Sequence, residues 1–206
     1  HAILSTAAGG SRAVLNGESR SRLLDVHGTL ELDGLHLTAG HASEGGGVRI
    51  HPGARASIRG SVISNCTTTG WDAAGGALHG VRATIEVSGS AITGCSATVT
   101  GDDGPAAGGT PVYGTVTGGA VYSKQGSVTL DGVNVSECSV SISSRGVIGV
   151  AYGGAVYSSQ GNLTLVASTL VGCSATATGD DGVAGGGAVH IEQGSVTLDA
   201  VTVSQC

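Results

Sequence analysis

The chain has 206 residues and a formal net charge of −6, with aromatic residues at 2%, charged residues at 12%, no Phe, no Met and 38 glycines. So few bulky side chains can fill only a narrow interior, and mild acidity with no basic patch excludes nucleic-acid recognition. No apolar run reaches the roughly 18 residues of a membrane span, and apolar periodicity at such low charge excludes disorder.

Residues 1–26 fit no regular pattern and are expected to form a partial coil or a cap. From His27 to Gly40 a repeat emerges, with Leu30, Leu32, Leu35 and Leu37 inward. It recurs more fully from Gly45-Gly46-Gly47-Val48 to Cys66, where Gly40 had stood in place of the cysteine. In the next four copies the second glycine of a Gly-Gly-Ala-Val-like tetrad precedes a cysteine by 19 residues: Gly76 and Cys95, Gly119 and Cys138, Gly154 and Cys173, Gly187 and Cys206. Between each cysteine and the next glycine pair lie 8, 22, 14 and 12 residues. A constant core with variable inserts at one place predicts a solenoid.

Within the copy that ends at Cys138, Ser127–Leu130 and Val133–Val135 alternate polar and apolar residues, and Asp131-Gly132 makes a bend between them. That period predicts strands with Val128, Leu130, Val133, Val135 and Cys138 inward. The same register aligns four apolar columns: Ala56, Ile85, Val128, Leu163, Val196; Ile58, Val87, Leu130, Leu165, Leu198; Ile63, Ile92, Val135, Leu170, Val203; and, from the tetrads, Val48, Leu78, Val121, Val156, Val189. A further alternating run follows the cysteine, as in Ala97/Val99, Val140/Ile142 and Ala175/Ala177. The expected fold is all-β: about six stacked coils, three short parallel sheets around a dry interior, and variable loops on one side.

The tetrads at 118–121, 153–156 and 186–189 resemble the GGA[ILV] motif of right-handed parallel β-helix proteins of the pectate-lyase-like superfamily. Adhesin-type polymorphic membrane proteins pair that motif with F-x-x-N. Here an apolar-x-x-Cys stands in the equivalent place: Ile63/Cys66, Ile92/Cys95, Val135/Cys138, Leu170/Cys173 and Val203/Cys206. The resemblance spans about residues 27–206 and implies a right-handed β-helix. It does not by itself choose a function, because this fold hosts lyases, hydrolases, adhesins and fibres.

Four groups of residues bear on chemistry. Cys66, Cys95, Cys138, Cys173 and Cys206 are expected to form one ladder along the axis. Buried thiols are the favoured reading. Strained pairing between coils is the alternative, and five equivalent positions do not make a nucleophile. Asp102-Asp103 and Asp180-Asp181, each in a Gly-Asp-Asp-Gly stretch, are read first as solvated turns, then as a calcium site, and last as the acid pair of a polysaccharide-acting enzyme. The pairs lie two coils, about 10 Å, apart. No His-Gly or Arg-x-Lys companion accompanies them, and Lys124 and Arg145 have no partner constellation. A third group is an outward column of Ile50, His79, Tyr122, Tyr157 and His190, a candidate interaction surface for a sugar or a subunit, with simple cross-coil packing as the plainer reading. Its histidines are separated by two tyrosine coils, which argues against a His-His metal site there. Finally, Asn65, Asn134 and Asn162 lie in N-glycosylation sequons and point outward.

The chain opens on His1 and stops on the last constant position, so it reads as one β-helical domain, 1–206, of a longer protein. The expected function is non-enzymatic: a secreted or cell-surface scaffold that meets other subunits, domains of its own chain or glycans, in a filament or adhesive assembly. No cofactor is expected, with calcium at the aspartate pairs as the one alternative. The alternative is a polysaccharide lyase, hydrolase or epimerase.

Overall fold

Each repeat runs the same path, and each strand pairs with its equivalent one repeat away. The computed structural model describes residues 1–6, 12–100, 112–143, 147–178 and 182–206. Among these residues there is no helix, and every strand pairing is parallel. The strands fall into five sheets of seven, seven, six, five and three strands. In the copy ending at Cys138 the path is Val121–Lys124 in the tetrad sheet, Ser127–Asp131 in the long sheet, and Asn134–Ser136 in the sheet after the bend. Ser139–Ser143 in the post-cysteine sheet and Val147–Tyr152 in the insert sheet complete it. The arrangement is compatible with a parallel β-helix.

The four apolar columns read from the sequence are the observed registers: Ile85 pairs with Ala56 and Val128, Val87 with Ile58 and Leu130, Ile92 with Ile63 and Val135, and Leu78 with Val48 and Val121. Their side chains fill one continuous core together with Cys66, Cys95, Cys138 and Cys173. Each large aliphatic side chain buried there contributes about 1.5–3 kcal/mol. Residues 1–26 join the same sheets, since Ala2–Ser5 pairs with Thr29–Asp33, Val14–Asn16 with His36–Thr38 and Leu24–Val26 with Val48–Ile50. The outermost rungs leave Ile3, Leu4 and Val14 at one end, and Val196, Leu198 and Val203 at the other, exposed.

Two expectations are corrected. The three sheets around the main core are the tetrad sheet, the long sheet and the sheet after the bend; the run that follows the cysteine lies outside that core. Ala97, Val99, Val140 and Ile142 face the opposite way and make a second, smaller core with Ala73, Val116 and Ala151, flanked by Trp71, Ala175 and Ala177. The inserts, in turn, are not loops throughout. Val112–Thr117, Val147–Tyr152 and Val183–Gly185 form a parallel sheet of their own, which isolated bridges continue through Ala74 to Glu44.

The glycine pair explains this division. The first glycine of each tetrad sits at positive φ, as at Gly118 with +62°, and turns the chain inward. The second has no room for a side chain. A Cβ on Gly119 would strike the carbonyl oxygen of Gly154 and lie 2.6 Å from the carbonyl oxygen of Ser139, the residue after Cys138. The coil is therefore pinched shut, backbone against backbone, between its glycine pair and the residue after its cysteine. Everything beyond that neck belongs to the second core.

At the bend, buried serines satisfy the backbone of the turn. Ser61 Oγ donates to the Arg59 carbonyl at 2.8 Å and accepts from the Leu35 N–H at 3.1 Å. Ser90 and Ser168 repeat the pattern.

Candidate functional site

The tetrad strands carry the ring column on their outer face. His79, Tyr122, Tyr157 and His190 are in register and stack in sequence at ring separations of 4.8, 5.4 and 5.6 Å, within 6° of parallel. Ile50 does not belong to this column. It pairs with Gly80 and is buried in the main core, and Arg49 stands beside His79 instead. The first copy is one residue longer between its second glycine and its cysteine, which moved the sequence alignment by one, and a one-residue slip exchanges the two faces of a strand.

Nor is the column simply exposed. His79 and Tyr157 are buried, because the insert sheet rises beside them. The corner between the two sheets is a groove of about 320 Å³, bordered on the tetrad side by His79, Tyr122, Lys124 and Tyr157 and on the other by Glu44, Asp72, Thr115 and Thr117. At its far end Tyr152 of the insert sheet stacks on His190 at 4.1 Å. The rings cover one another's faces, so the groove is offered ring edges, hydroxyls and charges.

Electrostatics divide the groove. Burial, with Arg49, Arg22 and His51 near it, holds the His79 imidazole down at about 4 against the pull of the Glu44 carboxylate, 4.0 Å from its Nε2. The neutral ring leaves Nδ1 buried with no hydrogen-bond partner. Glu44 also pairs with Arg49 at 3.0 Å. Burial first, then Glu44, Glu192 and Asp72, pushes the Tyr122 hydroxyl above its usual range. Tyr157 is raised in the same way by burial and by Glu192, which accepts its hydroxyl proton at 2.9 Å and that of Ser159 at 2.8 Å. Those two bonds hold the Glu192 carboxyl below the ordinary value.

Compared with known proteins, the chain matches no family model, no curated protein and no solved structure. Its function must be argued from its own geometry.

The remaining candidates are placed as follows. The cysteines form one column at the turn before the post-cysteine sheet, all five as free thiols, four buried and Cys206 exposed. Each Sγ donates to the carbonyl two residues before it, for example Cys138 to Ser136 at 3.3 Å and Cys95 to Thr93 at 3.5 Å. Burial, and then the neighbouring thiols Cys138 and Cys66, pushes Cys95 well above the usual thiol range. The hydrogen bond with Cys138 and then burial raise Cys173 as well. Enclosure in the core keeps all four buried sulfurs from a reagent. Native protein treated with a chromogenic disulfide reagent is therefore expected to release about one equivalent, from Cys206, and five in denaturant; rapid release of more than one from the folded protein would contradict the ladder.

Asp102, Asp103, Asp180, Asp181 and Arg145 lie outside the described residues. Asn65, Asn134 and Asn162 are exposed, with Asn65 in a turn at φ +52° and Asn162 Oδ1 accepting from Ser195 Oγ at 2.8 Å. Sequence reasoning missed Glu44, Asp72, Thr115 and Thr117. They stand in the stretches of variable length, where no alignment of copies places them, and only the bridging of Glu44 to Ala74 and of Ala74 to Thr117 brings them to one wall.

Proposed function

We propose that this chain is a non-enzymatic scaffold of a secreted or cell-surface protein: a right-handed parallel β-helix of about six coils, of the pectate-lyase-like kind, that holds a polar groove rigid so that a glycan can lie along it. The observation that carries this reading is the groove itself. Two parallel sheets meet at a fixed corner, and their outward residues repeat at the rung spacing of about 4.8 Å. The site therefore extends along the axis, as a chain ligand requires. Its chemistry suits a polyhydroxylated ligand: hydroxyls from Thr115, Thr117 and Tyr122, carboxylates from Glu44 and Asp72, and one ammonium from Lys124. Stacking of sugars on open ring faces is not part of the proposal, since those faces are taken.

The apolar side chains open on the outermost rungs suit end-to-end contact with another copy, and hence a filament. The exposed sequons are consistent with a location outside the cell.

A glycan array that covers neutral and acidic oligosaccharides tests the groove. Wild-type protein is expected to bind a defined set, and Asp72→Asn and Thr115→Val are each expected to weaken that binding about tenfold, the loss of one or two hydrogen bonds to ligand. Unchanged binding in both variants would move the surface elsewhere. Release of reducing ends or unsaturated uronate from an acidic polysaccharide, with or without calcium, would replace the scaffold by the enzyme reading.

A further inference from the structure

Asp25 lies in the strand Leu24–Val26 and His27 just past its end, two residues on, so both side chains leave the outer face of the tetrad sheet. His51 follows the next tetrad strand, Val48–Ile50, and its backbone N–H donates to the Val26 carbonyl at 2.9 Å. That bond seats His51 directly over His27, and the two imidazoles stack at 3.8 Å. His51 Nε2 lies 2.6 Å from Asp25 Oδ1. One ring nitrogen of each histidine and one oxygen of Asp25 lie within 4.8 Å of one another.

Two imidazoles and a carboxylate are a ligand set for borderline divalent ions, and three protein ligands leave positions for water. Tetrahedral bonds of about 2.0–2.1 Å need neighbouring ligand atoms roughly 3.3 Å apart, so the His51–Asp25 contact has to open by less than an ångström, and the exposed His27 ring has to turn out of its stack so that both ring planes contain the ion. The proton it holds would pass to solvent as the ion takes its place. A second contact orients the carboxylate. Arg22 Nη1 lies 3.5 Å from Asp25 Oδ2, and the same guanidinium is tied to the carbonyls of Glu44 and Gly45. The arginine thus engages Oδ2 and leaves Oδ1 toward the histidines. Partial burial works against ionisation of Asp25, but the His51 hydrogen bond and the charges of His51, Arg22 and His27 outweigh it and hold the carboxyl below its usual value. Asp25, His27 and Gly28 also border a cavity of about 250 Å³, which has room for water ligands.

We propose that Asp25, His27 and His51 bind a single divalent transition-metal ion of the zinc class. The site lies on the first two tetrad rungs. It ties two successive rungs together through side chains.

Isothermal titration of the chelator-treated full chain with ZnCl₂ tests this, in a Cys206→Ser background that removes the one exposed thiol able to compete. One saturable equivalent is expected. His27→Ala and His51→Ala are each expected to weaken it at least tenfold, while His36→Ala, whose ring instead bonds Ser64 Oγ at 2.8 Å, leaves it unchanged. Zinc is expected to raise the melting temperature of the parent and of His36→Ala but not of His27→Ala, an exposed position whose loss leaves the fold intact. Absence of saturable zinc binding, equal binding by parent and His27→Ala, or displacement of zinc by equimolar calcium would each overturn the proposal.

Discussion

Gly119→Ala is expected to cost on the order of 4 kcal/mol of stability, a loss at the extreme of single substitutions. The added methyl carbon would meet backbone on two sides: the Gly154 carbonyl of the next rung and the Ser139 carbonyl across the neck. Neither is the flexible end of a side chain, so relief requires the rungs to part. Parting them breaks the bond from the Gly119 N–H to the Gly153 carbonyl at 3.1 Å and opens the main core where Cys138 seals it. The control is Gly89→Ala. Gly89, unlike Gly119, adopts an unfavourable φ, +51°, and nothing lies within 4 Å of the added carbon, so only the left-handed backbone penalty of about 1–2 kcal/mol applies. Urea denaturation of both variants reads the difference. Equal losses would show that the close approach at Gly119 costs no more than a left-handed backbone, and would sink the pinched neck.

Acidification through the range of the buried imidazole is the second large effect. In the unfolded chain His79 takes up a proton near pH 6.5, whereas in the folded protein burial delays this to about pH 4. Between those values the unfolded state holds more protons, so stability rises with pH across the window. The contribution is complete above pH 6.5, falls as the pH drops, and is lost below about 4. The separation corresponds to about 3 kcal/mol. His79→Phe keeps a ring over Tyr122 but cannot be protonated. Its stability is expected to change less than the parent's between pH 7 and pH 4.5, and identical slopes for the two would rule out His79 as the source. The carboxylates that do not face His79, as Glu44 does, contribute alike to both proteins and cancel in the comparison.

The groove and the metal site were legible in different degrees. His79, Tyr122, Tyr157 and His190 could be aligned from the tetrads because their distance from the glycine pair is constant. Their partners across the groove could not, because Glu44, Asp72, Thr115 and Thr117 come from the inserts, whose lengths differ. The cluster of Asp25, His27 and His51 was hidden for a related reason. Residues 1–26 carry no cysteine, and their glycine pair, Gly9-Gly10, is followed by Ser11-Arg12 instead of completing a tetrad, so the pairing of Asp25 with Arg49, which puts His27 under His51, has no signal in the sequence.

What the amino-acid sequence determined alone is the coil. Alternating apolar residues specify which side of each strand is dry, and the 19-residue interval from glycine to cysteine measures the closed path around the main core. Together they yield the four apolar columns and the thiol ladder. What only the tertiary structure decided is where that path shuts and what lies beyond it. Alternation after the cysteine shows that one face is apolar but not which core it meets. That choice is made at the neck, where the backbones of the glycine pair and of the residue after the cysteine touch. Their contact leaves no room for Ala97 or Val140 to turn inward, and it commits them to a second core against the insert strands.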